Sequence, residues 1–353
     1  PFLAGTPARL LWLGKDRAMV LDVASGREVA GGFSYPRPFV GLPSAGSAVR
    51  ADSGAMAVLT GEPAALKPDS HWEAWTQEAG AVSHATVLED APVGTPPATN
   101  WICFSPTGDL VALSANTSPQ IIRVWNLVTG KPVAPAMTMD SRLAFTNARP
   151  AAFSPDGTRL AVGASSGLVR VWDVATGRAL FDLEPSAPSY IRLVSFSSDG
   201  ERIATGSAGG LVRLWDAKTG KLIREPIVLD ASLGALEFSR DGRLLVTSSA
   251  DDTRLWDGRT GEPIGAPFAA GGAVRAARFS DDGTRLVTAH NAGAARIWDT
   301  ATLQPVTELL AHPGLRVPNA EFSPDGHFIR TEASNNHFYL WPVPPAAGNA
   351  PVP

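Results

Sequence analysis

The chain has 353 residues, with 30 Lys and Arg against 34 Asp and Glu and a formal net charge of −4, which gives no global electrostatic footprint for nucleic acid or an anionic membrane. Hydrophobic residues make up 44% and charged residues 18%, a composition that supports a buried core and argues against disorder. The single cysteine, Cys103, excludes an intramolecular disulfide framework and a multi-cysteine zinc site. No apolar run approaches the roughly 20 residues of a membrane-spanning helix. Pro1 opens the sequence with no signal-like segment, so a fragment or processed product is expected. The compartment stays open, with a cytoplasmic one preferred.

Gly (34) and Pro (30) are abundant, and apolar stretches of four to six residues bounded by Gly, Pro, Asp and Ser read as strands. In chain order, residues 2–6 read as the end of a first inner strand, and residues 9–23 as a hairpin carrying Leu10, Leu11, Trp12, Leu13, Met19, Val20 and Leu21. Residues 20–26 are similar to residues 171–177, with Leu21 in place of Trp172. Trp75, followed by Gly80, marks a second weak copy, with residues 50–54 as its turn. From residue 100 the repeat is explicit. Trp125, Trp172, Trp215, Trp256, Trp298 and Trp341 are spaced by 47, 43, 41, 42 and 43, and each closes a strand-like run. Phe104, Phe153, Phe196, Phe238, Phe279 and Phe322 keep almost the same period, each followed four residues later by Gly. Each unit therefore reads as four strands: one ending at Phe, a second after a tight turn, the Trp strand, and a fourth after the Trp. Gly stands five residues after Trp as Gly130, Gly177, Gly220 and Gly261. Leu303 and Ala346 replace it in the other two, so a differently built turn is expected there.

These residues resemble the WD-repeat (Trp-Asp repeat) β-propeller family of bacterial type, over about residues 8–341. The Asp after Trp is present as Asp173, Asp216, Asp257 and Asp299, and is Asn126 and Pro342 elsewhere. The resemblance implies an all-β propeller of four-stranded antiparallel blades spanning 1–341. It also implies a His–Ser/Thr–Asp–Trp hydrogen-bonded network, of which fragments are legible: Ser249 and Asp251, Ser207, and His312 with Asn335 or Asn336. Apolar packing between blades is expected to dominate. Eight blades are preferred to seven. A seven-blade ring would take residues 28–33 as the outer strand of the last blade and leave the 9–23 hairpin exposed, at about 25 cal/mol per Å² of apolar surface. Residues 342–353, rich in Pro, read as a tail or linker.

Motifs for chemistry are weak. The six His form no zinc spacing, and His71-Trp72-Glu73 reads as a turn. Cys103 precedes Phe104 on an inner strand and reads as buried. The Gly-x-Ser-x-Gly string at 163–167 joins two strands, not a strand and a helix, and reads as a hairpin. Asp251-Asp252 and Asp281-Asp282 lie in turns without further calcium ligands in sequence. Arg123, Arg170, Arg213, Arg254 and Arg296, each two residues before Trp, share a strand face with it and read as structural. Glu237, Arg278 and Glu321 occupy equivalent inner positions, which suggests ion pairs between blades. No catalytic residue, metal ligand or cofactor is assigned.

Positions that vary between repeats are the candidates for function. Four residues before the marker Phe lie Arg149, Arg192 and Arg275, with Arg316 nearby. With Trp101 and Tyr190 as aromatic anchors, they form a candidate rim for an acidic or phosphorylated peptide. The structural residues are the six Trp of the repeat. The reading is a non-catalytic protein-interaction scaffold. Phrases such as residues 129–132 resemble bacterial arrays joined to signalling modules, which implies a recruiting or regulatory domain of a larger protein. The alternatives are a small-ligand or phosphopeptide sensor and a propeller enzyme. No nucleic-acid partner or membrane insertion is expected, and the oligomeric state is left open.

Overall fold

Stretches in which every second residue is apolar dictate strands, and strands are what form. The computed structural model describes residues 2–3, 9–13, 17–22, 28–34, 47–49, 56–61, 72–78, 81–88, 99–115, 120–139, 150–184, 189–250, 252–269, 271–335 and 337–344. Their strands make eight sheets: I (residues 2–34), II (47–87), III (99–139), IV (151–183), V (191–228), VI (233–269), VII (274–311) and VIII (319–342). Seven have four strands and sheet VIII has three, and within each the strands follow chain order. They are antiparallel meanders. Among the described residues no helix is long and apolar enough to cross a membrane.

Sheet I contains the predicted hairpin, Arg9–Leu13 against Arg17–Asp22, with Leu10 opposite Leu21. Phe2–Leu3 supplies its first strand. Glu28–Ser34 supplies its fourth, with Val20 opposite Ala30. The seven-blade alternative placed residues 28–33 in the last sheet, whereas here Glu28–Ser34 pairs within sheet I. The physical reason is local: a short loop makes the adjacent hairpin edge the cheapest partner to reach.

The chain divides into two compact units, residues 1–196 with 215–221 and residues 197–214 with 222–353. In the first, Ala112, Ile122 and Val124 of sheet III pack against Leu160, Val162 and Trp172 of sheet IV. The opposite face of sheet III carries Val111, Leu113 and Trp125, packed with Leu88. In the second unit, Val246 and Leu255 of sheet VI meet Leu286 and Trp298 of sheet VII. The Val287 and Ile297 face of sheet VII then meets Ile329 and Trp341 of sheet VIII. One rule generates these layers. Strand geometry puts the Trp on one face and the aliphatic residue before it on the other, so each such sheet offers a Trp to one neighbour and a Val, Leu or Ile to the next.

Close approach explains Gly163. It ends the strand Arg159–Gly163, and a Cβ there would collide with the Ile191 side chain. The Gly-x-Ser-x-Gly string is the hairpin expected, joining Arg159–Gly163 to Val169–Asp173. Cys103 is half-buried beside the III–IV cluster, its Sγ 3.6 Å from the Ala151 carbonyl.

Truncating a shared Trp removes packing from two sheets. Trp298→Ala is expected to cost about 3–5 kcal/mol, against about 0.5 or less for Leu222→Ala at an exposed site. Urea denaturation midpoints of the two variants check this.

Candidate functional site

Two polar turns recur from sheet to sheet. In the first, a buried Ser follows the marker Phe. Its hydroxyl donates to the Asp two residues on, at 2.5–2.6 Å in Ser154–Asp156, Ser197–Asp199, Ser239–Asp241, Ser280–Asp282 and Ser323–Asp325. The same oxygen accepts the amide five residues on, as from Arg159 and Leu244, both at 2.9 Å. Burial raises the carboxyls of Asp156, Asp199, Asp241 and Asp282. Hydrogen bonds from the Ser hydroxyl and the amide two residues on outweigh it and hold them below the usual range.

The second turn follows the Trp. Hydrogen bonds from Thr176, Thr219, Thr260 and Thr302 lower the carboxyls of Asp173, Asp216, Asp257 and Asp299, with burial opposing. In sheet III, Asn126 Oδ1 takes the same role, accepting from the Val128 and Thr129 amides. Gly177 and Gly261 close their turns at φ 68° and 74°. Leu303, where a different turn was expected, does the same at φ 59°. Its N–H bonds the Asp299 carbonyl at 2.9 Å. The left-handed conformation costs about 1–2 kcal/mol for a residue with a Cβ. The Asp299–Thr302 bonds and the packing of Leu303 against the VI–VII cluster offset it.

The Trp network is fuller than the sequence fragments implied, and its hydroxyl differs. Trp256, Trp298 and Trp341 donate their indole N–H to Thr247, Thr288 and Thr331 at 2.8, 3.0 and 3.0 Å. Ser249 and Ser207, the expected partners, bond elsewhere: Ser249 to the Ala231 backbone and Ser207 to the Leu211 amide. Register is the reason. Thr247 lies across from Arg254, one same-face position from Trp256, whereas Ser249 lies across from Asp252, two away. A Thr nine or ten residues before each of these Trp is the sequence signal that was overlooked. His312 Nε2 lies 2.8 Å from Thr331 Oγ1 and Nδ1 lies 3.1 Å from the Leu310 carbonyl. Thr331 already accepts the indole proton, so its O–H donates to Nε2 and Nδ1–H donates to Leu310. Burial keeps His312 below the usual histidine range, with backbone contacts at Leu310 and Gly293 opposing. His290 bonds Thr288 at 2.9 Å in the same manner, from the end of its own strand.

Sheet VI has neither imidazole. Leu229 stands where His312 stands, since the Leu229 amide bonds Gly210 as the His312 amide bonds Gly293. Ser249 ends its strand where His290 ends the next one. The space left is a pocket of about 170 Å³, lined by Leu229, Thr247, Ser249 and Arg254 among others.

The Arg two residues before Trp take structural partners. Arg170 grips Asp182 with two bonds of 2.7 Å, Arg254 approaches Asp252 at 3.6 Å, and the Arg296 guanidinium lies 5.5 Å from the Trp298 ring centroid. Arg213 is buried. The inner ladder pairs Arg278 with Glu237 of the neighbouring sheet, while Glu321 meets Arg330 of its own sheet. Asp281 pairs with Arg240. Asp251, His71 and Asn336 lie outside the described residues.

Of the candidate rim, Arg275 is exposed on Val274–Phe279, and Arg316 is exposed shortly before Asn319–Phe322. Tyr190 and Arg192 are half-buried at the start of Ile191–Phe196. Arg149 lies outside the described residues. Trp101 is a correction: at 6% exposure its indole belongs to the III–IV core and offers no face to a partner. The alternation that faces Trp101 inward was not separable from a rim position by spacing alone. Among the repeat's Trp, Trp125, Trp172, Trp215, Trp256 and Trp298 are buried and Trp341 is half-buried.

An antiparallel, four-stranded, sequentially wound sheet repeated along the chain, with a Trp–Thr bond inside it, is the architecture of a β-propeller. The model of the WD domain, G-beta repeat, matches residues 151–173, 183–216 and 263–299. Two similar solved structures are β-propellers. One is the computationally designed Ika8 protein, 22% identical with a TM-score of 0.71, covering 97% of this chain and 95% of that one. The other is a chain of the Mitotic Checkpoint Complex, 19% identical with a TM-score of 0.61, covering 82% and 88%. None of the curated protein sequences compared matches the chain.

The neutral His312 is the folded form, so its contribution is complete above the unfolded-state value of about 6.5 and is lost as pH falls below it. Melting temperature should therefore decline between about pH 7 and pH 5. A His312→Gln variant should start lower at pH 8 and show a shallower decline. Asn126 shows that an amide serves the second turn. Asp257→Asn should thus be near neutral, whereas Asp257→Ala costs about 1 kcal/mol, measurable by urea denaturation at pH 7.

Proposed function

We propose that the chain is a non-catalytic protein-interaction scaffold: an eight-bladed propeller over 1–341, whose last strand runs on to Pro342, followed by a Pro-rich tail. It would serve as a recruiting or regulatory domain of a larger bacterial signalling protein. The WD repeats at three places support the class, as does likeness to a chain that works within a multiprotein complex. One observation carries the reading. The turn carboxylates and Arg170, Arg254, Arg278 and Arg330 are consumed by the fold. Arg275 and Arg316 are exposed and have no acidic partner among the described residues. A rigid frame with spare guanidinium groups suits an acidic or phosphorylated segment, which Arg binds through paired charge-assisted hydrogen bonds. Arg192 and Tyr190 are the further candidates that the spacing of the repeat offers, at the start of Ile191–Phe196.

An array of acidic and phosphoserine peptides tests this. Wild type should retain a subset with salt-sensitive affinity. The Arg192→Glu/Arg275→Glu/Arg316→Glu variant, shown folded by circular dichroism, should lose about tenfold or more. Equal retention by both proteins would overturn the rim.

A further inference from the structure

Sheets VI, VII and VIII share the bond from indole to threonine, and in VII and VIII an imidazole completes it. His290 Nε2 lies 2.9 Å from Thr288 Oγ1, and His312 Nε2 lies 2.8 Å from Thr331 Oγ1. The two rings arrive by different routes. His290 ends the strand Arg285–His290, two residues after its own Thr, where sheet VIII has the small, buried Ala333. His312 follows Leu310–Ala311, the fourth strand of sheet VII, and serves Thr331 of the next sheet. In that second case the proton arrangement is fixed. The Nδ1–H donates to the Leu310 carbonyl, so the neutral ring presents Nε2 as an acceptor for the Thr331 hydroxyl.

Sheet VI keeps the first half of this arrangement and lacks the second. Thr247 accepts from the Trp256 indole at 2.8 Å, and it is 1% exposed. Among the described residues its hydroxyl has no further partner. Leu229 and Ser249 occupy the two imidazole positions. Leu229 has no acceptor to offer, and the Ser249 hydroxyl is committed to the Ala231 amide and carbonyl. A buried hydroxyl proton is therefore left over, and a hydrogen-bond donor without an acceptor is costly in a dry site. It lies beside the pocket of about 170 Å³. Buried Leu229, Thr247 and Ser249 line its inner part. Exposed Asp230 and Ala250 and half-buried Asp252 and Arg254 line its mouth. For scale, a cavity of about 150 Å³ lined by apolar side chains admits benzene.

We infer that the sheet VI pocket is a binding site for a small neutral azole, a five-membered ring with one unprotonated nitrogen. The neighbouring sheets supply the template. The ring nitrogen accepts the Thr247 hydroxyl proton, as Nε2 of His312 accepts that of Thr331, and the ring carbons pack against Leu229. Polar substituents on the ring face the mouth, where Asp252 and Arg254 approach each other at 3.6 Å. A lone water satisfies Thr247 equally but leaves the Leu229 side without contacts. The site does not depend on the Arg rim.

The probe is imidazole itself, titrated at pH 8 into the full 353-residue chain labelled with nitrogen-15. The assigned Trp256 indole signal should shift saturably, with a Kd of about 1 mM, as suits so small a ligand. The Trp125 indole signal of sheet III should stay in place. Pyrrole has the same size and shape without the acceptor nitrogen, so it should bind about tenfold more weakly or worse. Leu229→His gives the pocket a ring from the position that His312 occupies, and should abolish the shift. The contrast between imidazole and pyrrole gives the answer even if that variant misfolds. A Trp256 signal that does not move, or moves without saturating, would overturn the inference and leave the pocket to water. So would equal binding of pyrrole, or an undiminished shift in folded Leu229→His.

Discussion

The alternation of the Trp strand is the constraint from which the rest follows. Val171-Trp172 and Ile297-Trp298 place an indole on one face of a sheet and a branched aliphatic on the other. A four-stranded sheet apolar on both faces cannot be covered from one side, so it needs a neighbour on each. The III–IV, VI–VII and VII–VIII layers meet that need in the same way, with Trp172, Trp298 and Trp341 set against the aliphatic face of the preceding sheet. Repetition here is the solution to a burial problem that no single unit solves alone.

Polar groups are placed so that this packing stays dry and in register. Each buried indole N–H among Trp256 and Trp298 finds a Thr hydroxyl in its own sheet, which removes the cost of burying an unpaired donor. The Ser–Asp and Asp–Thr turns hold the chain reversals with side chains instead of relying on glycine alone. That is why Leu303 can adopt a left-handed φ without changing the turn. Carboxylates bound in this way are acceptors already in use, held ionised by the turns they close. The sheet VI pocket illustrates the converse. Where Leu229 and Ser249 replace two imidazoles, the frame survives and a void of about 170 Å³ remains.

Function on such a frame resides in what the repeats do not share. Arg275 and Arg316 are exposed and have no acidic partner among the described residues.

Period and residue type by themselves determined the strand content, the boundaries of the repeat, the Phe and Trp markers and the structural role of the Arg before Trp. Each of these depends on local alternation or local turn chemistry, which a linear sequence displays directly. The hairpin of Arg9–Leu13 and Arg17–Asp22 was legible for the same reason. Tertiary structure decided what depends on register and on neighbours. Thr247 rather than Ser249 bonds Trp256, because pairing brings Thr247 one step from the indole. Residues 28–34 close sheet I, because the nearest edge is their own hairpin. Trp101 is core and Arg275 is surface, although both precede a marker Phe by a similar distance, because only the packing of adjacent sheets settles which side of a strand meets solvent.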